Sequence, residues 1–157
     1  MKRYQIIWAE RDGQTNEIVG SASSKAPKDI SVIARKCGYE EKYVLRSKNN
    51  NKFFSVLFDF FSLVKELRKT DHKCKILLQY PCFNEKIFQF ARFFFPKRRY
   101  IIVIHDLNSI RVNGQISKAE VFSLSIFNEI IVHSPEMKDC ISVHLPKNTR
   151  YHVLHCF

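Results

Sequence analysis

Short runs of continuous apolar residues alternate along this chain with longer segments whose apolar positions recur every three or four residues. The first rhythm predicts strands covered on both faces, and the second predicts helices that bury one side. The clearest strand is Tyr100 to Ile104, all apolar or aromatic, which stops abruptly at His105-Asp106. Further strands are expected at Arg3 to Ala9, Lys42 to Arg46, Lys73 to Tyr80 (ended by Pro81), Glu129 to His133 and Tyr151 to Cys156. Between them, Pro27 suits a first helical turn, and Ile30, Ile33, Ala34 and Cys37 follow at helical spacing before Gly38 as a stop. Phe53 to Lys69 reads as a helix whose polar positions, Ser55, Asp59, Ser62, Glu66 and Lys69, form only a narrow strip. A second aromatic helix, Asn84 to Phe95, is closed by Pro96 and the basic run Lys97-Arg98-Arg99.

Ser117 and Glu120 have capping-box spacing and open a helix toward Phe127. Ser134, Pro135 and Glu136 read as an N-cap, a first helical residue and a favourable first-turn charge, with the helix running toward His144. Strands alternating with helices predict parallel βαβ units. The expected class is therefore α/β, a Rossmann-like three-layer α/β/α sandwich with a mainly parallel sheet of about six strands. No repeat or linker divides the 157 residues, so one domain spans 1–157.

Composition changes this picture in three ways. A net charge of +11 points to an anionic partner, and a stand-alone basic module for nucleic acid is the rival to any enzymatic reading. The positive charge is spread along the chain and no RNA- or DNA-binding signature is present, so no nucleic acid is expected. Fourteen phenylalanines crowd mainly between Phe53 and Phe95. Most are expected to be core that covers the sheet, leaving Lys97, Arg98 and Arg99 exposed as a surface for an anionic membrane. Five cysteines without a CxxC pair read as reduced thiols in a cytoplasmic compartment, with neither a disulfide framework nor a metal site. No stretch reaches the roughly 18 apolar residues of a spanning helix, so membrane contact is expected only at the surface, at the inner face of the cell membrane. A receiver-like regulatory domain would need an acidic pair after the first strand, and Glu10-Arg11-Asp12 matches that poorly.

Candidate chemistry gathers where strands end, because ligands of open α/β sheets bind beyond the carboxyl ends of the strands. His105 and Asp106 end the clearest strand, and Asn108, Ser109 and Arg111 follow at once. A carboxylate or imidazole there can take a proton from a sugar hydroxyl, with a cation holding the substrate. The alternative is that Asp106 caps the next turn and His105 is a satisfied strand-end residue. His133-Ser134 ends its strand in the same manner, which would place His133 and His105 on one crevice. Gly20 to Ser24 precedes a helix and can offer backbone N–H groups to an anion, or be a plain loop; it matches neither a dinucleotide nor a P-loop pattern. His152 and His155 lie three apart on a strand, hence on opposite faces, and do not suit a shared metal.

The runs QYPCFNEKIF, YIIVIHDLNSIR and NEIIVHSPEMKDCI, taken in order, resemble the N-terminal half of bacterial galactofuranosyltransferases and related glucosyltransferases of the GT-B class. The resemblance covers about Gly20 to Phe157, and the HD…S-x-R segment is its most specific part. It implies the acceptor-side domain of an inverting, metal-independent sugar transferase in cell-surface polysaccharide or glycan synthesis. The C-terminal donor-binding domain lies outside this chain, and the chain alone is expected to be inactive. By the same resemblance Asp106 is the base, with His105 as alternative or orienting group. Gly20, Ser21, Tyr80, Asn108 and Arg111 would shape the acceptor side, and His133 would line the cleft. Ser134 stands where the family pattern has Asn. The implied partner is a saccharide or lipid-linked saccharide acceptor. No cofactor is implied beyond a donor, UDP-galactofuranose or UDP-glucose, held mainly by the absent domain. From the residues alone, the wide apolar face of Phe53 to Leu67 is expected to serve either self-association or an interface with the absent half.

Overall fold

The computed structural model describes residues 1–11, 18–20, 25–47, 51–81 and 85–154. Its elements in order are β1 (Arg3–Arg11), β2 (Ile18–Gly20), α1 (Lys25–Lys36), β3 (Glu40–Leu45), α2 (Lys52–Arg68), β4 (Lys75–Tyr80), α3 (Glu85–Phe94), β5 (Arg99–Ile104), α4 (Asn108–Asn113), α5 (Lys118–Leu124), β6 (Glu129–Val132), α6 (Pro135–Ser142) and β7 (Arg150–Val153). Six strands run parallel in the spatial order β3-β1-β4-β5-β6-β7, and β2 adds an antiparallel pairing to β1. The expected α/β sandwich is therefore the observed fold.

Two sheet faces receive unequal cover. Even-numbered residues of β4 and β5 (Ile76, Leu78, Tyr80, Tyr100, Ile102 and Ile104) join the larger core with Leu63 and Leu67 of α2, Phe88 and Ala91 of α3, Leu124 of α5 and Ile141 of α6. Odd-numbered Leu77, Ile101 and Val103 form a smaller cluster with Ile30 and Ala34 of α1. This period-two division is what buried strands impose.

Local signals explain most boundaries. Gly38, at φ 78°, follows the last turn of α1 in the left-handed region, and the Gly38 and Tyr39 N–H groups bond back to Arg35 and Ala34. Ser117 and Glu120 form the reciprocal capping box, and the Ser134 side chain accepts from Met137 N with Pro135 at the helix start. β2 and the short helix α4 were not legible as elements, β3 begins at Glu40, and β7 begins at Arg150, with residues 155–156 of the expected last strand outside the described residues. Position 155 and the proposed face of His155 lie outside the described residues.

The sheet reverses direction of growth between β1 and β4, since β1 leads outward to β3 and β4 leads the other way to β5. There the pairing is incomplete. β4 pairs with β1 only from Arg3 to Gln5, while Ala9 pairs with Leu45 of β3 on one edge and with Gly20 of β2 on the other. β2 thus occupies the edge of β1 that β4 vacates, and the sheet parts at its carboxyl end.

One expectation is corrected here. The phenylalanines of α2 and α3 are not mainly core: Phe53, Phe54, Phe58, Phe61, Phe90, Phe93 and Phe94 are exposed, and Phe88 alone among the two helices' phenylalanines is fully buried. Each helix packs on the sheet through one narrow face, and the remaining apolar positions turn outward.

Candidate functional site

The odd-numbered rows of β4, β5 and β6 end in polar groups at the carboxyl edge: Leu77 is followed by Gln79, Val103 by His105, and Ile131 by His133. Parallel register sets these ends side by side, with Gln79 opposite Val103 and Val103 opposite Ile131. Gln79 is buried, and its Nε2 donates to Ser31 Oγ of α1 at 3.2 Å. Gln5, fully buried on β1, donates to the same hydroxyl at 3.0 Å. With its amide nitrogen so engaged, Gln79 presents Oε1 to His105 Nε2 at 2.7 Å, so this ring nitrogen carries the hydrogen. His105 Nδ1 is then an acceptor, and His133 Nε2 donates to it at 3.3 Å. The two rings lie 5.4 Å apart and tilted by 32°. A polar chain thus runs laterally from Gln5 through Ser31, Gln79 and His105 to His133.

This arrangement favours neutral imidazoles. Burial, reinforced by the neighbouring His133, pushes the His105 pKa down to about 4, and burial lowers that of His133 also. Both rings are therefore uncharged at neutral pH. Each remains half-buried, as does Asp106 directly after His105. Asp106 is not the N-cap of α4: that position belongs to Leu107, which makes no side-chain cap bond.

Below the histidines, Glu120 ties the following segment to the sheet. Its buried carboxylate accepts from the Ser109 hydroxyl, from Ser117 Oγ at 2.8 Å, and from the Tyr80 hydroxyl at 3.3 Å. Burial pushes the Glu120 pKa up, but the Ser109 and Ser117 hydrogen bonds together outweigh it and hold the pKa below 4.5. The carboxylate is thereby kept ionised, fixing α4 and α5 beside the tip of β4.

The expected site residues fall into three groups. His105, Asp106 and His133 come together at one edge. Tyr80 lies apart from them: its even position turns it into the larger core, 5% exposed, on the opposite face of the sheet. Gly20 ends β2 on the part of β1 above β4, and Ser21 lies outside the described residues. Asn108 and Arg111 belong to α4 by backbone, and their side chains lie outside the described set. Gln79 and Glu120 were missed as site groups. The QYP run contained the first, and the capping-box spacing of the second gave no sign of its bonds to Ser109 and Tyr80.

The basic run is corrected too. Arg98 is buried, and its guanidinium donates to the carbonyls of Leu67, Thr70 and Asp71, closing the C-terminal end of α2. Arg99 pairs with Glu129 at 2.5 Å, and Lys97 alone of the three is exposed. A polar cavity of about 380 Å³ bounded by Arg92, Arg99 and Arg150 sits at the amino edge of the sheet, away from the histidines. Among the described residues, no group of three or more His, Cys, Asp or Glu side chains could hold a metal ion. No helix among them is long and apolar enough to cross a membrane.

Residues 14–153 match the family described as glucosyltransferase 3-like, N-terminal domain. No curated protein matches the chain.

Proposed function

The chain belongs to the glucosyltransferase 3-like N-terminal domain family, and on that premise we propose that it is the acceptor-binding half of an inverting, metal-independent glycosyltransferase. The donor is a UDP-sugar, UDP-glucose or UDP-galactofuranose, held by a second α/β domain facing the carboxyl edge of this sheet. The product is a glycan or polysaccharide of the cell surface. The observation that carries the reading is the contact between His105 and His133 beside Asp106, at the strand ends where such folds receive ligands.

Inversion is a single displacement. The acceptor oxygen forms a bond to the anomeric carbon, the bond from that carbon to the UDP oxygen breaks, and UDP leaves with the electron pair. The acceptor hydroxyl must lose its proton as it attacks, and Asp106 takes it. His105 has both ring nitrogens engaged, one by Gln79 and one by His133, which suits it to orienting His133 rather than to accepting the proton. His133 is the wall of the acceptor site next to β6.

The test is a transfer assay with the donor-binding half supplied in cis or in trans. Sugar should move from UDP-glucose or UDP-galactofuranose to a saccharide acceptor with inversion. Asp106→Asn should lower kcat by about 10²–10⁴-fold, the range for loss of a positioned general base. Undiminished turnover in that variant removes Asp106 from the role, and no transfer from either donor overturns the reading.

A further inference from the structure

Helices α2 and α3 carry a surface that neither the fold nor the polar edge explains. On α2, Phe54, Phe58, Phe61, Lys65 and Arg68 succeed one another by four and three residues and so share a face. On α3, Lys86, Phe90 and Phe93 repeat the same steps. Both stripes point away from the protein. Phe61 is 63% exposed, Phe90 71% and Phe93 82%. The helices pack side by side, with the Phe60 ring edge-on to Phe94 at 6.2 Å, so the stripes form one platform. Between turns of α3, a shallow apolar groove lies among Phe90, Phe93 and Phe94. Large apolar patches of this kind mark a surface that meets something other than water.

Charge decides what that is. Among the described side chains of the two helices, every fully exposed charged residue is a cation: Lys52, Lys65, Arg68 and Lys86. The described acids, Asp59 and Glu66, are turned aside. Asp59 accepts the Ser47 N–H at 2.8 Å, and Glu66 holds Lys69 at 2.5 Å. Two copies of this face brought together would set lysine against lysine within an apolar contact, which opposes self-association. A bilayer with anionic headgroups presents the complementary order: phenylalanine rings enter the acyl boundary, and lysine stems lie along it with their ammonium groups at the phosphates.

We propose that the paired α2 and α3 face docks this protein on an anionic lipid bilayer. The surface stands apart from the histidine edge and requires nothing of sugar transfer. It also moves the membrane contact from the Lys97-Arg98-Arg99 run, where Arg98 faces inward, to the phenylalanine stripes.

The experiment is flotation of the full chain with vesicles of phosphatidylcholine alone and of phosphatidylcholine with phosphatidylglycerol. Binding is expected with the anionic vesicles only, and it should weaken as salt is raised. Combined Phe54→Ser, Phe61→Ser and Phe93→Ser should reduce partitioning at least about tenfold, as should combined Lys65→Glu and Lys86→Glu. Hydrogen exchange of the unaltered protein provides a readout independent of any variant: added anionic vesicles should slow exchange within 53–61 and 90–94. Absence of vesicle binding overturns the proposal, as does binding indifferent to the phenylalanines or protection found elsewhere. A dimer that forms without lipid and dissolves in the serine variant assigns the face to a second copy and equally overturns it.

Discussion

His105 and His133 share a single hydrogen bond, 3.3 Å from Nε2 of the second ring to Nδ1 of the first, and a proton added to that acceptor abolishes it. Two charged imidazoles cannot occupy this contact without repulsion. The pair is therefore a neutral unit fixed in direction by Gln79.

Stability should fall on mild acidification for this reason. His105 is held at about 4 in the folded chain against 6.5 when unfolded, so between those values the unfolded chain binds more protons and stability rises with pH. The loss begins as pH drops below 6.5 and is complete below the folded pKa. The full shift corresponds to roughly 3 kcal/mol, and solvent at this half-buried ring reduces it to about 1–2 kcal/mol. Urea midpoints across this range should show the slope in the native chain and a flatter profile in His105→Gln.

Replacing the amide by a carboxylate should reverse the tuning. Gln79→Glu places a negative oxygen against the protonated Nε2, which favours the imidazolium and lifts the His105 pKa well above 4. Titration of the ring Cε1 proton by NMR measures this. A midpoint unmoved from the native value would show that the contact at 2.7 Å does not hold in solution.

Glu120 predicts a different acid limb. Its pKa is lowered, so its contribution is fully present above 4.5 and is lost as pH falls from there through the folded value. Glu120→Ala removes the capping box and leaves the buried Tyr80 hydroxyl without this acceptor, at a cost of about 2–3 kcal/mol. Chemical denaturation of the variant should show that loss, with Ser117→Ala costing about 1 kcal/mol.

Neighbouring residues of the basic run should separate sharply. Arg98→Ala opens three carbonyl contacts beneath α2 and should destabilise by about 3 kcal/mol, whereas Lys97→Ala should stay within about 0.5 kcal/mol. Equal melting temperatures for the two variants would contradict the inward position of Arg98.

Legibility in the sequence followed the range of the forces involved. β5 was plain because a strand covered on both sides must be apolar throughout, and Tyr100 to Ile104 is. Ser134-Pro135 and Ser117-x-x-Glu120 were plain because caps are made by neighbours in sequence. β2 was hidden because three residues carry no rhythm, and it exists only as a pairing to β1. The bond between Gln79 and His105 spans 26 positions and depends on register, which no local pattern states. The phenylalanines misled for a related reason: a helix apolar on nearly every side does not say which side the sheet will take. Arg98 and Arg99, adjacent and alike in type, went to opposite tasks because one faces the last turn of α2 and the other faces Glu129.

The splitting of the sheet above Gln5 has an evolutionary consequence. Since β2 and not β4 occupies the upper edge of β1, that hairpin strand can be lengthened, trimmed or re-sequenced without disturbing any of the five parallel pairings. Variation at that edge is thereby uncoupled from the order and register of the strands that carry the histidines.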